Sequence, residues 1–126
     1  MRVGWKLIAR FSEQTGIRVN RIIGPDLPRL DDDEELVIYR VAQESLTNVA
    51  RHAEASRVDL RLERTTRGVA LHVADDGVGF KRLAGAGEGL RGMRERALAV
   101  GAVLSIAEAR RGGVEVVLEV PVEAGR

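Results

Sequence analysis

GEGLRGMRERA, residues 87–97, decides the fold. As written it is G-x-G-x-x-G opening a helix, the spelling of a dinucleotide-binding turn and of the doubly wound parallel sheet that carries one. Such a turn directly follows a strand in the first βα unit, with further parallel crossovers beyond it. Here KRLAGA (81–86) comes before Gly87, which is no strand pattern, and only two hairpin strands remain afterwards. The dinucleotide reading therefore fails. A P-loop fails more simply, because no G-x-x-x-x-G-K-[ST] occurs and the only lysines, Lys6 and Lys81, are misplaced. A glycine-rich loop running into a helix start remains, where free N–H groups and the positive end of the helix dipole suit a phosphate. Arg91 and Arg94 add positive charge. From this motif alone, a plain loop before an ordinary basic helix is equally open.

Working outward, Val3, Leu7, Ile8 and Phe11 share one helical face, with Gly16 as C-terminal cap. Residues 17–23 read as a strand, and Pro25 and Pro28 break the chain after it. The acidic run Asp31 to Glu35 starts a long helix as cap and dipole complement rather than as a cation loop. Its apolar stripe is expected at Leu36, Tyr39, Ala42, Leu46, Val49, Ala50 and Ala53. RVDLRLE (57–63) and VALHVAD (69–75) alternate around the turn TTRG and form a hairpin. A helix with Leu90, Met93, Ala97 and Val100 ends at Gly101, and a second hairpin, AVLSIAE with VEVVLEV, ends at Pro121. The expected architecture is α+β: a two-layer α/β sandwich with a mixed, mostly antiparallel sheet and helices packed on one face.

The 126 residues suffice for one domain with one core, taken as 1–126. The 44% hydrophobic and 31% charged content is that of a soluble globular chain, and no apolar run approaches the ~18 residues of a membrane span. With no cysteine and two histidines, disulfides, thiolate metal sites and zinc drop out. A net charge of +1 gives no general reason to bind nucleic acid or anionic lipid. Nothing in residues 1–11 resembles a signal peptide.

Two further features carry chemistry. DDGVGF (75–80) sits at a strand end whose core side holds Val69, Leu71 and Val73. Gly77 and Gly79 let the backbone leave the sheet and a ligand come close, and Asp75 can accept from an exocyclic amine; an ordinary Asp-Gly turn is the alternative. On the long helix, Glu44, Asn48 and His52 follow at i, i+4 and i+8 as one polar ridge flanked by Arg51, which otherwise reads as a solvated helix edge. A carboxylate and a carboxamide one turn apart offer hard oxygen ligands suited to magnesium, and Arg51 and His52 can meet phosphate oxygens.

In order, YRVAQESLTNVARHA (39–53), DDGVGF and GEGLRGMRERA resemble the N, G1 and G2 boxes of the GHKL ATP-binding superfamily of gyrase, Hsp90, histidine kinases and MutL. They look most like the catalytic domain of nitrate-sensor-type sensor histidine kinases. The resemblance extends from the first helix to Pro121 and implies the Bergerat-type sandwich with Mg-ATP between helices and a small lid. By position, it implies that Asn48 coordinates the magnesium and that Glu44 orients or deprotonates through water. Arg51 and His52 would contact phosphate, and Asp75 would read the adenine amino group in a pocket shaped by Gly77 and Gly79. Gly87, Gly89 and Gly92, with Leu90 between them, would form the lid and the start of the phosphate-facing helix. Where similar domains have Gly-Thr before the last strand, this chain has Gly113 and Val114, losing a hydroxyl that supports the aspartate.

No segment resembles the histidine-bearing dimerisation helix, and His72, mid-strand between Ala70 and Ala74, reads as structural. The resemblance therefore implies a cytoplasmic, monomeric catalytic unit, its parent anchored or not. It would pass the γ-phosphoryl group of ATP to a histidine on a separate dimerisation domain and, indirectly, to a response regulator. A stand-alone serine kinase of the anti-sigma-factor kind shares the boxes. A degenerate module acting by protein contact is the non-enzymatic alternative.

Overall fold

The computed structural model describes residues 5–78, 87–110 and 112–123. Its elements are α1 (Trp5–Thr15), β1 (Arg18–Ile23), α2 (Asp32–Asn48), a π-wound turn (Val49–Ala53), β2 (Arg57–Arg64), β3 (Gly68–Asp75), α3 (Gly87–Ala99), β4 (Val103–Glu108) and β5 (Val114–Pro121). The strands form one sheet in the order β1-β2-β3-β5-β4. β1 and β2 are parallel, joined through α2 as a crossover requires, and the other three pairings are antiparallel. This is the mixed sheet expected.

Alternation along the strands sorts the sheet into two faces. Val58, Leu60 and Leu62 of β2, Val69, Leu71 and Val73 of β3, and Val114, Val116, Leu118 and Val120 of β5 are buried in one core with the helices. Arg57, Asp59 and Arg61 take the opposite face, in register with His72 and Ala74 across the strand pair. α2 packs against β3, β5 and α3, and α3 also meets β4. Ser45 Oγ donates to Met93 Sδ at 3.6 Å where α2 meets α3, and both side chains are buried.

The start of α2 follows from its acidic run. Asp31 accepts from the Glu34 N–H at 2.7 Å while Glu34 Oε1 accepts from the Asp31 N–H at 2.9 Å, a complete capping box. The buried stripe is rotated from the one expected: Val37, Ile38, Val41, Ala42, Ser45, Leu46 and Val49 face inward, whereas Leu36 is 53% exposed and Ala50 is exposed. Tyr39 is half-buried, and the Ala53 side chain lies outside the described residues. A helix lying on a sheet and touching a second helix buries a face wider than one stripe, so the β-branched residues at 37, 38 and 41 go inside.

Helical winding also changes earlier than expected. The α-helix stops at Asn48, and the next five residues, Val49–Ala53, close π-type bonds, ending at Glu54 with φ 50°.

Candidate functional site

Two polar side chains enter the helix-covered side of the sheet, where burial needs a reason. Asp75 ends β3, one step past Val73 on the inward face, and is 6% exposed. Its Oδ1 accepts from the Gly77 N–H at 2.8 Å, and the Val114 N–H donates to the same carboxylate. Burial pushes the Asp75 carboxyl above the usual carboxylate range; the Gly77 and Val114 N–H groups pull the other way, and the charge of Asp76 adds to the rise. The Val114 side chain joins the core, so at this position only the main chain faces the aspartate.

Gly113 is the residue that sequence reasoning undervalued. A Cβ there would collide with the main-chain oxygen and Oδ1 of Asp75 and stand 2.6 Å from its carbonyl carbon. Only a glycine lets β5 approach so closely. Its position next to Gly112 (φ 94°) in the turn before β5 was visible, but the close approach comes from antiparallel pairing across the sheet.

Asn48 ends α2 on its inner side, 8% exposed, and its Nδ2 is buried with no hydrogen-bond partner among the described residues. An orphaned carboxamide of this kind costs about 1–3 kcal/mol unless a ligand or water completes it. Glu44, one turn earlier on the same face, is half-buried. Asn48 lies one turn after Ser45, and Leu90 one turn before Met93, so both flank the Ser45–Met93 contact in sequence. Leu90 packs partly buried against the core.

Gly87, Gly89 and Gly92 all lie within α3, so that helix begins before the point at which the glycine-rich stretch was expected to end. A Cβ at Gly92 would meet only the end of the Arg96 side chain, at 3.2 Å. Arg51 is exposed on the π-wound turn. The His52 side chain and Gly79 lie outside the described residues, as do the segment 79–86 and the lid contacts expected there.

The structure thus gathers Asp75, Gly77 and Val114 at one strand end and places Asn48 and Glu44 along one helix face. His72 lies elsewhere. It occupies the uncovered sheet face, its Nε2 3.2 Å from Glu63 and its Nδ1 3.5 Å from Glu115, in a groove of about 530 Å³ that also has Arg57, Arg61 and Arg110 in its walls. No helix among the described residues is long and apolar enough to cross a membrane.

The mixed sheet carries helices on one face, a buried aspartate at a strand end and an asparagine at the end of the facing helix. Residues 33–124 match the family of histidine kinase-, DNA gyrase B- and HSP90-like ATPases, and the chain belongs to that family. It is similar to the oxygen sensor histidine kinase NreB of Staphylococcus carnosus, 38% identical over 116 residues that cover 90% of this chain and 33% of the relative. It is also similar to the sensor histidine kinase ComP of Bacillus subtilis, at 31% over 119 residues, 91% of this chain and 16% of the relative. The chain therefore spans a third or less of these relatives. Among solved structures, the ATP binding domain of PrrB from Mycobacterium tuberculosis has a TM-score of 0.69 at 21% identity, covering 94% of this chain and 93% of that one. Full-length ShkA in complex with AMPPNP gives 0.75 at 24% identity, covering 92% and 28%. Both share the fold.

Proposed function

We propose that residues 1–126 form one nucleotide-binding catalytic unit of a sensor histidine kinase, which holds Mg-ATP and presents its γ-phosphoryl group to a histidine on a dimerisation domain. The single observation carrying this reading is the buried Asp75 carboxylate, fixed by two main-chain N–H donors at the edge of the helix layer. A carboxylate so oriented is an acceptor built for an exocyclic amine, which is how adenine differs from guanine at that position.

The residues present fit the metal that such a nucleotide brings. Asn48 offers a carboxamide whose Oδ1 would take the ion and whose buried Nδ2, without a partner among the described residues, would donate to a phosphate or water oxygen, and Glu44 stands one turn away. Among the described residues no group of three His, Cys, Asp or Glu side chains could hold a metal ion, so Asn48 would share the ion with phosphate and water oxygens. When bound, magnesium neutralises charge on the phosphate oxygens. This chain's own contribution is positioning. Asp75 orients the base, and Gly77, with Gly79, keeps the pocket wall thin. Glu44 orients or deprotonates through water. Arg51 and His52 contact the phosphates, and α3, from Gly87 and Gly89 through Leu90 to Gly92, turns its N-terminus to the same group. The acceptor imidazole nitrogen then forms the new bond to phosphorus as the bond to the β-phosphate oxygen breaks and ADP leaves. The similarity to NreB and ComP favours histidine over serine as acceptor. We place the unit in the cytoplasm, with a response regulator downstream.

Calorimetric titration with Mg-ADP and Mg-ATP is the direct test, followed by phosphotransfer to a histidine-bearing dimerisation domain and, in parallel, to a serine-bearing partner. Binding with transfer to the histidine domain is expected. No heat up to millimolar nucleotide would leave the degenerate module as the better reading, and transfer to serine alone would move the assignment to the other kinase class.

A further inference from the structure

Directly beyond Asp75, a second carboxylate makes contacts that the nucleotide reading does not use. Asp76 Oδ1 accepts from the N–H groups of Ser56 at 2.9 Å and Arg57 at 3.0 Å, and its Oδ2 accepts from Ser56 Oγ at 2.7 Å. Its own N–H donates to the Arg57 carbonyl at 3.3 Å, and the Ser56 carbonyl accepts from the Arg18 N–H at 3.1 Å. The Asp76 side chain thereby ties the end of β3 to the start of β2, and the Ser56 main chain continues the link to β1.

We propose that Asp76, acting through Ser56, is a positioning residue for nucleotide recognition that fixes the placement of the Asp75 carboxylate relative to Asn48. This rests on the nucleotide-binding reading above. The chain leaves Asn48 through the π-wound turn and the left-handed Glu54 before reaching Ser56, an irregular path that no regular helix or strand stiffens. At the other end, Asp75 is covalently next to Asp76. The Ser56–Asp76 clasp therefore closes that path onto the end of β3, beside the Val58–Asp75 strand pair. Its bonds are charge-assisted, the stronger kind, and the Ser56 hydroxyl together with the Arg57 and Ser56 N–H groups holds the Asp76 carboxyl below the usual carboxylate range, so it stays ionised at neutral pH. The Ser56 bonds to Asp76 lie at the surface and the Arg57 bond is half-buried, so loss of the carboxylate removes little core packing.

The test compares Asp76→Ala, Asp76→Asn and Ser56→Ala in the full chain, reading Mg-ADP affinity by calorimetry and, without nucleotide, exchange of the Gly77 amide hydrogen. Asp76→Ala is expected to weaken Mg-ADP about tenfold and to speed Gly77 exchange by a similar factor, while the Leu60 amide at the centre of β2 is unchanged. Asp76→Asn keeps an acceptor oxygen for both N–H groups and should restore both values to within about threefold; Ser56→Ala should fall between. Wild-type affinity and exchange in Asp76→Ala, or an Asp76→Asn chain as impaired as Asp76→Ala, would overturn the inference. If Asp76→Ala does not fold, Ser56→Ala decides by the same two measurements. A wild-type chain giving no heat with Mg-ADP overturns the nucleotide-binding reading itself, whereas wild-type binding with an unaffected Asp76→Ala chain overturns this inference alone.

Discussion

Replacing Gly113 by alanine tests whether close packing at Asp75 serves the ligand or merely the sheet. The new methyl group would overlap the main-chain oxygen and Oδ1 of Asp75, with the carbonyl carbon 2.6 Å away. Two of these are main-chain atoms and the third belongs to a buried, hydrogen-bonded carboxylate, so the strand end must shift. Overpacking of this kind costs about 1–3 kcal/mol, which for a chain of this size lowers Tm by very roughly 3–6 °C per kcal/mol. Gly68, at the opposite end of β3, provides the control. A Cβ there would collide with the Val120 carbonyl oxygen and stand 2.7 Å from Val122 N, a comparable overlap with no functional residue beside it. Both variants should therefore lose similar stability by thermal or urea unfolding. Only Gly113→Ala should lose nucleotide, because in the proposed binding mode the displaced aspartate supplies a charged hydrogen bond of about 1.5–3 kcal/mol, or roughly 10- to 100-fold in Kd. The measurement is Mg-ADP calorimetry well below each variant's Tm. Unchanged affinity in Gly113→Ala, or an equal loss in Gly68→Ala, would refute the claim that this glycine exists for the aspartate.

Asn48→Ala removes a buried amide whose Nδ2 has no partner among the described residues, so the Tm of the nucleotide-free chain should stay within a few degrees of wild type while the Tm rise on adding Mg-ADP disappears; a large drop in the nucleotide-free Tm would mark Asn48 as structural instead. The pH dependence has two signs. Because burial holds the Asp75 carboxyl above the usual carboxylate range, the native state holds its proton more tightly than the unfolded chain, so this group adds stability as pH falls through its folded pKa, while nucleotide affinity should decline if the proposed adenine contact is made by the carboxylate. Asp76 does the reverse: its stabilisation is full above the unfolded pKa and is lost as pH falls through its lower folded value, so urea unfolding and nucleotide titration across mildly acid pH separate the two. Asp31→Ala breaks the capping box of α2 and should cost about 1 kcal/mol, read by urea unfolding, with nucleotide affinity at 25 °C unchanged.

Much of this molecule is legible from periodicity. The helices, both hairpins, the cap at Asp31 and the inward set Val69, Leu71 and Val73 follow from local pattern and local chemistry, because alternation and capping depend on residues a few positions apart. The three boxes likewise pick out Asn48 and Asp75 from their neighbours. Other features were hidden for identifiable reasons. The inward face of α2 depends on what the helix lies against, and the wide contact with sheet and α3 turned Leu36 outward. The π winding after Asn48 has no strong residue signature. The Gly113–Asp75 approach and the Ser56–Asp76 clasp join residues that are 38 and 20 positions apart. Sequence by itself determined which side chains alternate, cap and carry acceptor chemistry. Only the tertiary structure decided which of them meet, since strand order and register bring β5 and the start of β2 to the end of β3, and no short window of sequence encodes that pairing.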